Sequence, residues 1–173
     1  FFHPARIVIG CESREAGERV ARLFQKIDAP VIVTDPVTAE LIKLASNAFL
    51  ATKISFANVL SAIGTPLGAN VGTLVRGVGL DTRIGQAHLQ PGLGYGGSCL
   101  PKDLAALEHL ARQVGAPYDL FSGAGAINRY QRTRVIDHLK ERLGRLDGMR
   151  ITILGAAFKV DTDDIRESPG VEL

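Results

Sequence analysis

At 173 residues, with 46% hydrophobic and 22% charged side chains, the chain has the composition of an ordinary globular domain and enough apolar residues for a real core. Twenty basic against eighteen acidic residues give no charge balance that asks for a nucleic acid, a membrane surface or an acidic polymer as partner. Cys11 and Cys99 stand far apart without CxxC spacing, which argues against a disulfide framework and for a reducing, cytoplasmic setting. The apolar-rich stretch 41–63 carries Lys43, Asn47, Lys53 and Asn58, which a membrane span would not accept.

The first element, "PARIVIGC", reads as a short buried strand because Ile7, Val8 and Ile9 are β-branched and Gly10 ends the run. "SREAGERVARLFQKI" follows with Val20, Leu23, Phe24 and Ile27 at helical spacing, and "PVIVTD" is a second apolar strand. This is a β-α-β unit with no sheet around it, and two strands with one helix cannot cover both faces of a parallel sheet. Asp35 then reads as an N-cap with Pro36 at the first helical position, opening a helix without a breaker to Ile63. About 28 residues make a rod of roughly 40 Å. Its apolar residues, Leu41, Leu44, Ala45, Ala48, Phe49, Ala51, Ile54 and Phe56, spread over much of the circumference, so it needs partners on several sides.

"GTPLGAN" breaks the rod and "NVGTLVRGVGLD" makes a short helix ending in glycines. Two more helices follow over Pro101–Val114 and Tyr118–Leu143, the second irregular around Gly123 and Gly125. The basic-looking stretch from Arg129 to Arg150 is interleaved with Asp137, Glu141 and Asp147 and reads as a solvated helix face. "LGRLDG" is a turn-rich linker, "GMRITILGAAFK" is a strand, and the final "DTDDIRESPGVEL" is polar. The incomplete strand-and-loop units at both ends predict pieces of larger α/β domains.

Chemistry gathers at "GLGYGGSCLPKD". Pro101 favours the first turn of a helix, so Cys99 is placed at or just before a helix start, where free N–H groups and the dipole favour an anion and can bring a thiol from ~8.5 toward neutrality. Gly92, Gly94, Gly96 and Gly97 permit positive φ and the close approach of a ligand. A small buried cysteine beside a flexible turn is the plainer alternative. Lys43 and Asn47, four apart, share a helix face and could hold the oxygen of a reacting carbonyl, or be a surface lysine next to a helix asparagine. Asp103, four after Cys99, could order a water or accept a proton, or only complement the dipole. GxxxxGK[ST], GxSxG and a GxGxxG after a strand are all absent. No histidine has a ligand-like neighbour, so no metal is expected.

"AELIKLASNAFLATKISFANVLSAI", "GLDTRIG", "PGLGYGGSCLPKDLAAL" and "ILGAAFKVDTDDIRES", in this order and spacing, resemble the UDP-glucose 6-dehydrogenase and GDP-mannose 6-dehydrogenase family. The resemblance implies a mainly α fold: a central helical dehydrogenase domain with one long helix (36–147), flanked by incomplete Rossmann-like α/β pieces. These are the end of an NAD-binding domain (1–35) and the start of a nucleotide-sugar-binding domain (148–173). It implies four-electron oxidation of a nucleotide-sugar C6 hydroxyl by NAD, UDP-glucose to UDP-glucuronate or the GDP-mannose counterpart. The route it implies is a thiohemiacetal and a thioester on Cys99.

By the same resemblance Lys43 and Asn47 stabilise the C6 oxyanion, and Asp103 orders the water. Arg83 reaches the substrate of the other subunit in a homodimer built on the long helix. Tyr95, Gly96 and Lys159 bind the sugar, and Arg166 lies near the cofactor. His88 stands where relatives often carry an aromatic residue. The competing readings are a non-catalytic helical dimerisation module and a Cys-His hydrolase.

Overall fold

The computed structural model describes residues 3–173. The chain resolves into two compact units, the first ending at Ser46 and the second running from Asn47 to Leu173, so the division falls inside the longest helix.

In the first unit, β1 (Ile7–Gly10) and β2 (Val31–Thr34) form a two-stranded parallel sheet in the register Ile7↔Val31 to Gly10↔Thr34, joined through α1 (Arg14–Leu23). The Ser13 side chain accepts from Ala16 N and caps α1. A Cβ on Gly17 would lie 2.5 Å from both Cys11 Sγ and Val33 Cγ1, so the bare glycine is what lets α1 sit on the strands. Val31, Ile32 and Val33 stay partly exposed, as expected of a parallel pair without enough helices to cover it.

The rod expected from Asp35 to Ile63 is α2 (Pro36–Gly64). Asp35 Oδ1 accepts from Thr38 N at 2.9 Å, and the hydrogen bonds from Thr38 hold its carboxyl below the ordinary range. Within the second unit, α2 turns small residues inward: Ala48, Ala51 and Ser55 are at most 1% exposed. They pack with Tyr95, Leu104 and Ala124, and Ser55 Oγ donates to Ala124 O at 2.9 Å. Phe49, Phe56 and Ile63, seven apart, form an exposed stripe on another face.

The short helix α3 (Val71–Gly79) is capped by Asn70, whose side chain accepts from Thr73 N, and packs through Val75 on Ala57 and Leu89. Two longer helices follow, α4 (Leu100–Gln113) and α5 (Asp119–Leu143), and then one turn, α6 (Pro169–Glu172).

Two expectations are corrected. The second long helix runs without interruption through Gly123 and Gly125. Each glycine costs it only about 1 kcal/mol relative to alanine, less than tertiary packing returns. The segment "GMRITILGAAFK" forms no strand, because a parallel strand exists only in a ladder and Ile151, Ile153 and Leu154 have no partner strand among the described residues. No helix of the described residues is long and apolar enough to cross a membrane.

Asn70→Ala should lower the unfolding free energy by about 1 kcal/mol and Asn70→Gly by only a few tenths, read from urea denaturation. An equal loss from both would mean that the side-chain cap is not what holds the start of α3.

Candidate active site

The glycine loop is not slack. Its backbone is fastened from three sides within the second unit. Asn58 Oδ1 on α2 accepts from Gly92 N at 2.8 Å, and Asn128 on α5 accepts from Tyr95 N at 2.8 Å and donates to Tyr95 O at 3.0 Å. Gly97 N donates to Arg166 O at 2.8 Å. Only Gly94 (φ 103°) and Gly97 (φ 79°) of the four loop glycines take positive φ. The close approach foreseen for a ligand is made by the protein itself. A Cβ on Gly94 would overlap Asn128 Oδ1, one on Gly96 would overlap the Glu167 carbonyl oxygen, and one on Gly97 would lie 2.5 Å from the Phe158 ring.

The loop delivers Cys99 to the N-cap of α4, with Pro101 in the first turn. Its side chain makes no cap bond, stays exposed, and lies 3.7 Å from Ser98 Oγ. One turn on, Asp103 N donates to Cys99 O at 2.9 Å, and the Asp103 side chain is only 3% exposed. That buried carboxylate accepts from Asn47 Nδ2 at 2.6 Å and from Lys102 Nζ at 2.5 Å. The hydrogen bond to Asp103, and then the carboxylate's charge, push the Lys102 ammonium up, although its side chain is 68% exposed.

The structure therefore joins Asn47 to Asp103, and Asp103 to the turn that begins at Cys99. Lys43 lies in the first unit, one helical turn before Asn47, exposed beside a cleft also lined by Arg6 and Ile42. Tyr95 is only 5% exposed and its ring is part of the core with Ala48, Ala51 and Leu104; burial pushes its phenol above the ordinary range. Arg83 is exposed on the turn after α3 and bonds both oxygens of Asp81, which raises its own pKa. His88 is exposed with φ 60°, and Lys159 is exposed with its carbonyl accepting from Thr162 Oγ1.

Arg166 grips Asp164 through both carboxylate oxygens, and these bonds bring the Asp164 carboxyl down to about 2. The hydrogen bond to Asp164, and then its charge, raise the Arg166 guanidinium.

Three anchoring residues were missed at the sequence level. Asn58 and Asn128 hold the loop, and Lys53 Nζ donates to the carbonyls of Ile84 and Gly85 at 2.9 Å, tying the "DTRIG" turn to α2. A polar residue set in an apolar helix face was the available signal, and it is plain at Asn58 between Ala57 and Val59.

A dinucleotide cradle is not built by the described residues. The β1–α1 turn offers Cys11, Glu12 and Ser13 instead of a glycine-rich pattern, Ser13 already caps the helix, and Gly17 is packed against Cys11 and Val33. No group of three His, Cys, Asp or Glu among the described residues could hold a metal.

The sequence profile of the UDP-glucose/GDP-mannose dehydrogenase family, central domain, matches residues 37–130. The chain is 44% identical over 168 residues to the UDP-glucose 6-dehydrogenase TuaD of Bacillus subtilis (strain 168), covering 97% of this chain and 36% of that protein. A UDP-glucose dehydrogenase structure from Pyrobaculum islandicum superposes with a TM-score of 0.96 at 43% identity, over 99% of this chain and 40% of that one. The UDP-D-ManNAc dehydrogenase of Pyrococcus horikoshii gives 0.82 at 28% identity, over 95% and 40%. The chain thus spans about two fifths of the length of these relatives. It belongs to the UDP-glucose/GDP-mannose dehydrogenase family.

Two tests follow from the loop and its supports. Gly96→Ala should cost about 1–3 kcal/mol of stability, because the obstacle is backbone, whereas Gly92→Ala, with open space around it, should cost under about 0.5 kcal/mol; similar urea midpoints for both would refute the close packing. The Asp164 carboxyl, followed by NMR, should titrate near 2 and return toward 3.8 in Arg166→Ala. Because the folded value is the depressed one, the stabilisation from this pair is present above 3.8 and disappears as the pH falls toward 2.

Proposed function

We propose, with membership of that family as the premise, that these residues serve an enzyme that oxidises the C6 hydroxyl of a nucleotide-sugar to a carboxylate, UDP-glucose to UDP-glucuronate. The observation that carries the proposal is the buried Asp103 carboxylate, hydrogen-bonded by Asn47 and placed one turn after the N-cap Cys99. When bound, NAD would accept one hydride, so two NAD molecules in succession would take the four electrons; Arg166 is assigned to the cofactor's neighbourhood.

The work assigned to this chain is addition and hydrolysis. Cys99 Sγ adds to the C6 aldehyde, a C–S bond forming as the carbonyl π bond opens onto oxygen, and the thiol proton ends on that oxygen. After the second two-electron oxidation, water adds to the thioester and the C–S bond breaks, returning the thiol and a carboxylate. Asn47 has two N–H groups. One is committed to Asp103, and the other is assigned to the C6 oxyanion together with the Lys43 ammonium. Asp103, hydrogen-bonded by Asn47 and Lys102, orders the hydrolytic water.

The sugar is assigned to the backbone around Tyr95 and Gly96 and to Lys159. Arg83, with its side chain 87% exposed, is assigned to the substrate of a partner subunit. The exposed Phe49, Phe56 and Ile63 stripe supports a homodimer through α2.

The test uses a protein of the relatives' length that carries these residues. With UDP-glucose it should yield two NADH per sugar, and Cys99→Ser should form no uronate. Preferential turnover of GDP-mannose would reassign the substrate. Normal acid production by Cys99→Ser would remove the covalent route.

A further inference from the structure

We infer that Asn128 is a positioning residue for the thiol, holding the loop in the one conformation from which Cys99 is presented; this rests on the reading of Cys99 as nucleophile. Asn128 lies on α5 and is only 6% exposed. Its amide does for the loop what a neighbouring strand would do. Oδ1 accepts from Tyr95 N at 2.8 Å while Nδ2 donates to Tyr95 O at 3.0 Å, a two-point pairing with the backbone of a single residue. The orientation of the amide is fixed by that pairing, since the flipped form would set donor against donor and acceptor against acceptor.

The same oxygen occupies the space of the Cβ that Gly94 lacks, at φ 103°. Backbone and side chain are therefore keyed to each other: this path of the chain requires the glycine, and the glycine makes room for the amide.

From Tyr95 to Cys99 little freedom remains. Gly96 lies against the Glu167 carbonyl and Gly97 N is held by Arg166 O, so a change in the direction of the Tyr95 peptide is transmitted to the start of α4. Truncating Asn128 leaves the polar backbone groups of a buried residue without partners. The loop must turn to find others. No part of Asn128 need touch a substrate for this to matter, because a shift of about 1 Å in a reacting atom can cost on the order of 10²-fold in rate.

The experiment has two arms, with Asn128→Ala and the milder Asn128→Ser, and with Asn70→Ala as a control for lost stability at a remote helix cap. In this chain, amide hydrogen exchange of the alanine variant should accelerate about tenfold or more at Tyr95 and Gly97 while Ser55 and Leu104 keep their protection. Asn70→Ala should show no such local change. In a protein of the relatives' length carrying these residues, Asn128→Ala should lower kcat by on the order of 10²-fold with KM for the nucleotide-sugar within about twofold, and Asn70→Ala should leave both unchanged. Should the alanine variant fail to fold, the serine variant is read in its place against the same criteria.

Exchange that rises at all amides together, in step with lost stability, would overturn the proposal. So would a local opening at Tyr95 and Gly97 that leaves kcat at the wild-type value while Cys99→Ser is inactive. If Cys99→Ser itself turns over normally, the cysteine reading is what has failed. Asn128 is then decided by exchange alone, local acceleration supporting its hold on the loop and uniform acceleration refuting it.

Discussion

The backbone of Gly94, Gly96 and Gly97 runs so close to Asn128, to the Glu167 carbonyl and to the Phe158 ring that a side chain at any of the three would collide with its neighbour. The ordering of the thiol depends on that absence. A loop of glycines in water loses more conformational entropy on ordering than any other sequence, so it is held only where many contacts fix it. Here the loop's N–H groups donate to Asn58, to Asn128 and to the Arg166 carbonyl, and Asn128 donates back to Tyr95 O. The glycines are there for closeness first and for positive φ second. The result is a rigid floor beneath an exposed sulfur.

The other half of the arrangement is the α2 rod. Asn47, Lys53 and Asn58 project from one helix to three different pieces of the second unit: Asp103 on α4, the carbonyls of the 84–85 turn, and Gly92 at the head of the glycine loop. A helix fixes the spacing of its side chains at about 1.5 Å per residue, so the loops that hang on it inherit its stiffness. Alanine and serine on the buried face bring the core close enough for those short polar side chains to reach. Leucines in the same places would hold the loops away.

Much of this was legible in the sequence, and the reasons are local. Asp35-Pro36 marked the start of α2, and Pro101 marked the first turn of α4, because capping and ring geometry act within a few residues. The pairing of Asn47 with Asp103 is a contact across 56 residues, and only the family resemblance suggested that the two serve one site. Tyr95 was placed near the sugar by the family resemblance alone; the structure turns its ring into the core with Ala48 and Ala51. Ile151, Ile153 and Leu154 looked like a strand because β-branching and hydrophobicity are local, whereas the ladder that makes a strand is not. Asn128 was overlooked because a single helical asparagine has no periodicity to announce it, and Asn58, conspicuous in an apolar face, gives no sign in the sequence of which peptide it meets. Their role is visible only from the peptides that they meet.

Two lysines flank this arrangement, Lys102 beside Cys99 on α4 and Lys43 before Asn47 on α2. Lys102 is adjacent to the candidate nucleophile's turn, and its ammonium is bonded to the buried Asp103 carboxylate, which raises its pKa. Drawing it away to meet a developing oxyanion would leave that carboxylate with one fewer donor in a place water reaches poorly, a cost that grows with burial. Its ammonium is tied to the turn of α4 that begins at Cys99. Lys43 stands one turn before Asn47 on the same helix.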